Sequence, residues 1–296
     1  MPEIVVATFN VHCGVDGWGR PYDLEGACRL LDADVLVLQE VWTPLEGPGL
    51  AHRLGEALGY QVVTRPLVRG RLFEPSPEDA ARTSWGPKAW TRARTRRALM
   101  LRARADRARV PAPTAVGAST GPGASSPAVT GAGDPPMVPR RSQHGTWDLS
   151  VLTRIPVVDV EVVDLGQLRA DPARRQAVVL TVAHGGRSRR PVTVVGTHMS
   201  HLTDGSPLQY RRLARRLPAD DVIVVGDMNM PGPLLQAMLP RYRRVVRGRT
   251  WPAWRPLVQS DHILATPGLA ARGRGEVVHA ARGSDHLPVR ARFAPD

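Results

Sequence analysis

Seven polar residues of this 296-residue chain lie where a predicted apolar strand meets a loop. Five of them offer amide or carboxylate oxygens, and none of the seven is a cysteine. Hard oxygen donors of this kind favour Mg²⁺, with Mn²⁺ as a substitute, over zinc. Glu40 is the best single ligand candidate, because proteins usually hold Mg²⁺ with one or two carboxylates and the phosphate oxygens of a substrate. The seven residues are Asn10, Glu40, His198, Asp227, Asn229, Asp285 and His286.

The two histidines of this set suit proton transfer or stabilisation of a pentacovalent phosphorus, since the imidazole pKa lies near neutrality. In the stretch VIVVGDMNMPG, Met228 separates Asp227 from Asn229. Side chains two apart in an extended strand point the same way, so we expect both to face one phosphate while Met228 packs inward. Gly226 is expected to permit close approach of the backbone. The whole set indicates metal-assisted attack of water on a phosphate ester.

The elements that position these residues are short strands and amphipathic helices. Residues 3–9 and 34–38 are apolar runs, and the segment between them has helical spacing, which predicts a β-α-β opening. Further helices are expected over 50–58, ending at Gly59, and over 207–217, with Leu208 at an apolar position. Later strands often follow one another without a crossover. This indicates an α/β protein with mixed or largely antiparallel sheets, in which clefts above strand ends form the site.

The segment 70–143 differs in composition from the rest of the chain. Thirteen basic and five acidic residues lie between Arg71 and Arg141, so this interval carries most of the formal net charge of +13. Its second half is rich in Pro, Gly, Ser, Ala and Thr, which cannot bury enough surface to order a chain. We interpret it as a low-complexity, basic, partly disordered insertion within a single domain of residues 1–296. The arginine-rich run 89–110 is compatible with a basic helix for nucleic acid or anionic membrane, or with a solvated excursion.

The cysteines and the apolar segments indicate the compartment. Cys13 and Cys28 are too few for a disulfide framework and lack the spacing of a zinc site. The opening MPEIVVATFN lacks a secretory pattern, and no run of about 18 apolar residues occurs. We therefore expect a soluble, cytoplasmic monomer without a transmembrane segment.

Seven short motifs occur in a fixed order along the chain: TFNVH, LQEVW, VLTRIP, GTHMSH, VGDMNMP, SDHILAT and GSDHLPV. In this order they resemble the endonuclease/exonuclease/phosphatase superfamily, which includes DNase I-like nucleases, abasic-site endonucleases, inositol phosphatases and neutral sphingomyelinases. The resemblance spans residues 3–293 apart from the insertion. It implies a DNase I-like four-layer α/β sandwich, two packed mixed sheets flanked by helices, with the site at one end of the sheet pair.

The resemblance also implies which residues hold the cation. Glu40 would coordinate Mg²⁺, with Asn10 and Asp285 nearby as ligands or as supports for ligands. Each polar residue also has a purely structural explanation, since Asp and Asn favour turns and helix caps. The catalytic interpretation is favoured because seven independent coincidences in one fixed order would otherwise be needed.

Catalytic roles follow from the same resemblance. Asp227 would orient or deprotonate the attacking water, and Asn229 would bind the scissile phosphate. His286 would pair with Asp261, whose carboxylate fixes the imidazole tautomer and raises its basicity. His198 would donate to a phosphate oxygen or assist the leaving group. The sequence leaves open how base and acid are divided between Asp227 and the two histidines.

The chain departs from the family pattern after the aspartate of the SDHILAT motif. Relatives commonly have tyrosine at this position, and this chain has His262. A further polar contributor usually precedes VLTR, and the candidates here are His144 and Asp148. Arg175 resembles an arginine often found at the start of its strand, where a structural ion pair is the expected role.

The substrate class is the least specified feature. A nuclease needs basic or aromatic residues beside its cleft, and Trp251, Trp254, His12 and His201 are candidates for substrate contact, with packing or surface roles as the alternative. We expect a Mg²⁺-dependent phosphodiesterase acting on DNA or RNA, as an endo- or exonuclease. The alternatives are a small-molecule or lipid phosphatase or phosphodiesterase of the same superfamily, and a non-catalytic member that binds nucleic acid or protein through its insertion.

Overall fold

The protein is built from twelve strands and five helices in the part of the chain that its computed structural model describes, residues 3–73, 142–183 and 191–295. Most of the predicted insertion, including the arginine-rich run, lies outside these residues. The elements are β1 (Ile4–Asn10), α1 (Leu24–Leu31), β2 (Val35–Pro44), α2 (Leu50–Leu58), β3 (Gln61–Phe73), β4 (Ser142–Thr153), β5 (Val157–Gln167), β6 (Arg174–Val182), β7 (Val192–His198), α3 (Pro207–Ala214), β8 (Val222–Asp227), α4 (Gly232–Met238), β9 (Arg243–Arg244), β10 (Asp261–Ala265), α5 (Pro267–Arg272), β11 (Gly273–Val277) and β12 (Val289–Phe293).

The strands form two six-stranded sheets. The first has the order β11-β12-β1-β2-β4-β3, and the second has the order β5-β6-β7-β8-β10-β9. The pairs β1–β2 and β7–β8 are parallel, and the other neighbouring pairs are antiparallel. Both sheets are therefore mixed, as the spacing of the predicted strands indicated.

Three apolar cores hold the layers together. The central core lies between the two sheets, with Ile4 and Val6 from the first packed near Ile223 and Val225 from the second. A second core joins the outer face of the first sheet to α1 and α2, and a third joins the outer face of the second sheet to α3 and α4. The order is helices, sheet, sheet, helices, so the expected four-layer α/β sandwich is confirmed.

Alternation along the strands places polar residues at one end of the sandwich. In β1 the inward-facing Ile4 and Val6 are followed on the same face by Asn10, because side chains alternate with a period of two. In β8, Val225 is followed by Asp227. The strands β1, β2, β7 and β8 all end at this side, so the inner faces of both sheets become polar together.

Close packing at this end depends on a glycine. Gly226 has a φ of 151°, and a Cβ atom placed on it would lie only 1.9 Å from the Thr197 carbonyl oxygen. Any larger residue would push β8 away from β7 and displace the following Asp227. The close approach expected of Gly226 is confirmed.

The helix predictions were correct for α1 and α2, but the helix expected over 207–217 ends at Ala214 and buries a different residue. Both α1 and α2 form where the spacing predicts them, and Gly59, whose φ of 73° is left-handed, caps the end of α2 as expected. In α3 the expected apolar position Leu208 is 53% exposed, and Tyr210 is buried in its place. No helix among the described residues is long and apolar enough to cross a membrane. The assignment of residues 1–296 to a single domain stays a prediction.

Candidate active site

Asp227, at the C-terminal end of β8, is the centre of a buried polar cluster. Its Oδ2 atom accepts a hydrogen bond from Asn10 Nδ2 at 3.0 Å. Its Oδ1 atom accepts from Ser260 Oγ at 2.6 Å and from the backbone N–H of Asn229 at 3.0 Å. Three donors therefore hold the carboxylate in one orientation, and one of them comes from the opposite sheet.

Asp261 and His286 form a buried pair beside Asp227. Asp261 is directly opposite Asp227 in the β8–β10 ladder, so both carboxylates face the same side of the sheet. His286 Nδ1 lies 2.9 Å from Asp261 Oδ2, and His286 Nε2 lies 3.9 Å from Asp227 Oδ2. Asp261 thus fixes the imidazole orientation and leaves Nε2 on the side of Asp227, which is the pairing that the resemblance implies.

His198 reaches Asp227 from the neighbouring strand. The two residues are opposite each other in the parallel β7–β8 pair, and His198 Nε2 lies 3.6 Å from Asp227 Oδ2. Arg175 donates from a terminal guanidinium nitrogen to the His198 carbonyl at 3.4 Å. Arg175 is itself paired with the buried Asp171 at 2.8 Å, so the structural ion pair expected of this arginine is present and lies against the end of β7.

Burial and neighbouring charges give these groups different protonation states. Burial raises the pKa of Asp227, but the charges of His286 and His198 outweigh burial and lower this pKa to about 2. Burial lowers the pKa of His286, but Asp261 and Asp227 raise it to about 10. Burial also raises the pKa of Asp261, so the Asp261–His286 pair keeps a proton at neutral pH. Burial, helped by the Arg175 charge, lowers the pKa of His198 to about 3, which leaves this imidazole neutral.

Glu40 and Asp285 are the partly exposed carboxylates of the cluster. Glu40 lies at a bulge where the β2–β4 register shifts, and its φ of 55° is left-handed. Asn10 Nδ2 lies 3.3 Å from Glu40 Oε1. On the other side, the backbone N–H of His12 donates to Asn10 Oδ1 at 3.2 Å, and His12 Nδ1 lies 3.5 Å from Asp285 Oδ1. Asn10 and His12 thus link the two carboxylates.

The oxygen atoms of Glu40, Asp285 and Asn10 fit a hard divalent cation, since two of the three residues are carboxylates and none offers sulfur. A tighter group exists nearby, because one ligand atom each of Asp227, Asp261 and His286 lie within 4.8 Å of one another. In this tighter group the imidazole is already bonded to Asp261 and holds a proton, which a metal would have to displace. By donor chemistry, Glu40, Asp285 and Asn10 are therefore the stronger candidates for holding a cation.

His262, which occupies the position of the family tyrosine, supports the loop after Asp227. Its Nε2 atom lies 3.0 Å from the Met230 carbonyl oxygen and 3.2 Å from that of Gln259. Burial, with the charge of Arg244, lowers the pKa of His262 to about 4. The neutral ring can donate its N–H to these carbonyls, which ties the loop after β8 to the start of β10.

His144 and Asp148, the candidates for a further polar contributor, lie away from this cluster. Asp148 is opposite Val41 in the β2–β4 ladder, and Val41 belongs to the outer core with α1 and α2. The Asp148 side chain therefore faces the helices. His144 is exposed and accepts a hydrogen bond from Arg71 Nε at 2.8 Å.

Asn229 does not follow the extended geometry expected of it. Strand β8 ends at Asp227, and Asn229 has a left-handed φ of 49°, so the argument from strand alternation was wrong for this residue. Its side chain donates from Nδ2 to the Met199 carbonyl at 2.9 Å. Met228 is buried in the outer core as expected. The backbone N–H of Asn229, rather than its side chain, contacts Asp227.

The candidate substrate residues lie near the cluster or on the surface. Trp251 and Trp254 are 38% and 43% exposed, and the backbone N–H of Ala253, between them, donates to the Asp285 carbonyl at 2.8 Å. His201 is exposed at the start of a short 3₁₀ turn. The tryptophans are thus attached to the Asp285 side of the site.

Ser260 and Thr250 are site residues that the sequence pattern did not reveal. Besides the bond from Ser260 to Asp227, Thr250 Oγ1 accepts from the backbone N–H of Ser260 at 3.0 Å and of Asp261 at 3.2 Å. Adjacency to Asp261 is a signal that could have identified Ser260. Thr250 lies in a separate loop and carries no such signal.

Comparison with known proteins identifies similar chains. Residues 7–286 match the model of the Endonuclease/Exonuclease/phosphatase family. The fold is similar to that of an endonuclease/exonuclease/phosphatase from Beutenbergia cavernae DSM 12333, with 20% identity, a TM-score of 0.57, and coverage of 99% of this chain and 72% of that one. It is also similar to a family protein from Leptotrichia buccalis C-1013-b, with 12% identity, a TM-score of 0.59, and coverage of 99% and 100%.

A third similar structure is the human Nocturnin catalytic domain with bound sulfate, with 15% identity, a TM-score of 0.54, and coverage of 99% of this chain and 93% of that one. No curated protein matches the sequence. At these levels of identity the structural likenesses show the fold alone.

Proposed function

This chain belongs to the endonuclease/exonuclease/phosphatase family, and from that premise we propose that it is a Mg²⁺-dependent phosphodiesterase that hydrolyses nucleic acid. One observation carries the proposal. Asn10 of the first sheet and His286 on the side of the second converge on Asp227 within hydrogen-bond or ion-pair distance, and Asp261 holds the His286 imidazole at 2.9 Å. An anionic carboxylate beside a protonated imidazole is suited to direct water at a phosphate and to stabilise the charge that develops there.

Asp227 orients the attacking water in this proposal. Its three donors fix the carboxylate, and its low pKa keeps it ionised, and so able to accept a hydrogen bond from water, over the whole neutral range. The water oxygen attacks phosphorus and gives one proton to Asp227, the ester bond to the leaving oxygen breaks, and the leaving oxygen takes up a proton from solvent. Nε2 of His286 donates to a non-bridging oxygen and stabilises the pentacovalent phosphorus, while Asp261 holds the ring. His198 donates its neutral N–H to a second phosphate oxygen or to the leaving oxygen.

The cation would be held by Glu40 and Asp285, with Asn10 as a ligand or support. A bound Mg²⁺ supplies positive charge that neutralises the phosphate and polarises its oxygens. The chemistry of these oxygen donors supports this assignment. Asn10 then has two tasks, since its Nδ2 atom contacts Asp227 while its Oδ1 atom faces His12 and the Asp285 side.

The choice of nucleic acid rests on the surroundings of the cluster. The exposed Trp251 and Trp254 are attached to the Asp285 side, and the basic residues between Arg71 and Arg141 add positive charge to the chain. A polyanion with aromatic bases matches both features. A small-molecule or lipid phosphate ester would use neither to the same extent.

The test compares hydrolysis across substrates with Mg²⁺ or with EDTA. Supercoiled plasmid, abasic duplex, single strands and bis-p-nitrophenyl phosphate cover the alternatives. We expect Mg²⁺-dependent cleavage of a nucleic acid, abolished in Asp227→Asn and strongly reduced in Glu40→Gln. Glu56→Gln, an exposed carboxylate on α2, is the matched control and should retain activity. Turnover of bis-p-nitrophenyl phosphate alone would favour a small-molecule phosphodiesterase, and no turnover of any substrate would refute the enzymatic proposal.

We propose further that the enzyme is a cytoplasmic monomer with one catalytic domain. The chain has two cysteines, too few for a disulfide framework, which is usual in a reducing compartment. Light scattering after size exclusion should give a mass near 32.2 kDa. A mass twice as large would refute the monomer.

A further inference from the structure

Two tryptophans from distant parts of the chain meet at the rim of the cluster. The ring centroids of Trp18 and Trp254 are 4.9 Å apart, and the ring planes are inclined by 49°. Trp254 is 43% exposed, and Trp18 is partly exposed. The pair therefore presents aromatic surface to solvent. A ligand that covers this surface gains free energy by removing it from water.

The pair lies directly beside Asp285. A Cβ atom placed on Gly17 would lie 2.5 Å from Trp254 Cζ3 and 3.3 Å from Asp285 Cβ. The Gly17 backbone is thus held between the Trp254 ring and Asp285, with no room for a side chain. One residue of backbone separates the tryptophan pair from the carboxylate assigned to the cation.

The loop that carries Trp18 is held by Asp16. Asp16 Oδ1 accepts from the backbone N–H groups of Trp18 and Arg20, both at 2.9 Å, and Asp16 Oδ2 accepts from Arg20 Nε at 2.7 Å. The Arg20 guanidinium lies 5.1 Å from the centroid of the Trp18 ring. Trp18 is therefore fixed by its own loop and by a cation–π contact.

The loop that carries Trp254 is fixed to the catalytic strand. The Trp251 and Val258 backbones form a two-way hydrogen-bonded bridge, with both N···O distances 3.0 Å. Thr250 bonds Ser260 and Asp261 through its hydroxyl, as described above, and its carbonyl accepts from the Leu287 N–H at 2.8 Å. Because both loops are already ordered, little conformational entropy remains to be lost when a ligand binds.

We propose that Trp18 and Trp254 form a stacking platform for an unpaired base of the nucleic acid next to the scissile phosphate. This inference rests on the proposed function, and it identifies single-stranded or locally unpaired nucleic acid as the substrate. Bases in an intact duplex already stack on their neighbours, so only a free base can cover an indole face. Stacking of one base on an aromatic side chain is worth about 5- to 150-fold in affinity.

The test is a binding measurement in EDTA, where hydrolysis does not interfere. Fluorescence anisotropy compares a short single-stranded oligodeoxynucleotide with the same strand carrying abasic spacers in its middle. We expect the wild-type protein to bind the base-bearing strand at least about 5-fold more tightly. Trp18→Ala and Trp254→Ala should each lose most of this discrimination, while affinity for the abasic strand stays the same. Trp254→Phe should restore much of it, because a smaller ring still stacks.

Leu208→Ala, which removes an exposed apolar side chain on α3, is the matched control and should keep the full discrimination. Circular dichroism and the Tm of each variant show whether it folds. If an alanine variant does not fold, the comparison of wild type with Trp254→Phe still tests the platform. Equal affinity of the wild type for both strands would overturn the platform, as would full discrimination in both alanine variants. Tryptophan-dependent binding to anionic phospholipid vesicles without strand discrimination would also overturn it.

The binding test of the platform and the hydrolysis assay can succeed or fail independently. Strand discrimination that depends on the tryptophans, together with no turnover in Mg²⁺, would support the platform and refute the enzyme. Turnover with unchanged KM and kcat in both alanine variants would support the enzyme and refute the platform. With both correct, KM for single strands should rise in the alanine variants more than kcat falls.

Discussion

Asn10 at the end of β1 and Asp227 at the end of β8 are hydrogen-bonded across the sandwich, with 3.0 Å between Asn10 Nδ2 and Asp227 Oδ2. The two strands belong to different sheets, so the bond depends on how closely the sheets pack. Both residues are almost fully buried. A buried hydrogen bond to a charged group is worth about 1.5–3 kcal/mol, so the orientation of Asp227 is coupled to the fit between the sheets.

Asn10→Ala should lower kcat/KM by about 10- to 150-fold, because Asp227 loses the donor that reaches it from the first sheet. Asn10→Asp should lower it further, since a second carboxylate beside Asp227 raises the pKa of that residue. Steady-state kinetics and the Tm of each variant provide the measurement. If Asn10→Asp is as active as wild type, the amide donor has no catalytic importance.

Asp261→Asn should lower kcat by about 10³- to 10⁴-fold, because the imidazole of His286 loses the group that orients it. Removal of this carboxylate also removes the main attraction that raises the pKa of His286 to about 10. The pKa of His286 should fall, so the loss of activity at alkaline pH should begin at lower pH than in the wild type. The pH profile of kcat and an NMR titration of the imidazole in EDTA test this, and an unchanged imidazole pKa would contradict it.

Glu40→Gln should remove most of the stabilisation that a divalent cation gives to the folded protein. A ligand at about 100 times its Kd stabilises the native state by about 2.7 kcal/mol, which raises the Tm by several degrees. We expect this rise with Mg²⁺ in the wild type and in the control Glu56→Gln, and a much smaller rise in Glu40→Gln. A rise of equal size in all three proteins would place the cation elsewhere.

His262→Gln should make the protein less sensitive to acid. The pKa of His262 is lowered to about 4 in the folded state, against about 6.5 in the unfolded chain. The unfolded chain therefore binds a proton first, so the stabilisation is complete above about pH 6.5 and is lost as the pH falls toward about 4. The loss at the acidic end is on the order of 3 kcal/mol.

Urea unfolding measures the free energy of unfolding at neutral pH and, in steps of about half a pH unit, down to about pH 4.5. The loss of stability between these two limits is compared between the variants. Glutamine keeps a donor toward the Met230 carbonyl and removes the titration. The control His279→Gln changes an exposed histidine and should show the wild-type acid sensitivity. An equal loss of stability in His262→Gln and wild type would contradict the assignment.

The strand ends are well predicted from the sequence, because the apolar run of each strand stops where a polar residue begins. Asn10 and Asp227 each follow a run of mostly apolar, buried residues, so their position at one end of the sandwich follows from the pattern. The pairing of Asp261 with His286 came from the family resemblance, since the two residues lie on separate segments. No local pattern links them.

Left-handed backbone conformations and contacts between distant segments are the features that the sequence did not predict. The left-handed φ of Glu40 and of Asn229 arises from a bulge and from a strand end, and neither residue type requires it. Trp18 is a single aromatic residue between Gly17 and Gly19, so nothing in its own segment indicates that it meets Trp254. Leu208 fitted the helical spacing, but Tyr210 is the residue that α3 buries.

The long hairpin of β3 and β4 fixes the two points between which residues 74–141 connect. The two strands remain paired from Gln61 opposite Thr153 to Phe73 opposite Ser142, well past the level at which β2 carries Glu40. The described strands therefore end at Phe73 and resume at Ser142, at adjacent points on the same side as the polar cluster. Because the entropy of closing a loop grows only with the logarithm of its length, the length of the segment that joins these two points should have little effect on the stability of the sandwich. A short reverse turn would join the same two strands.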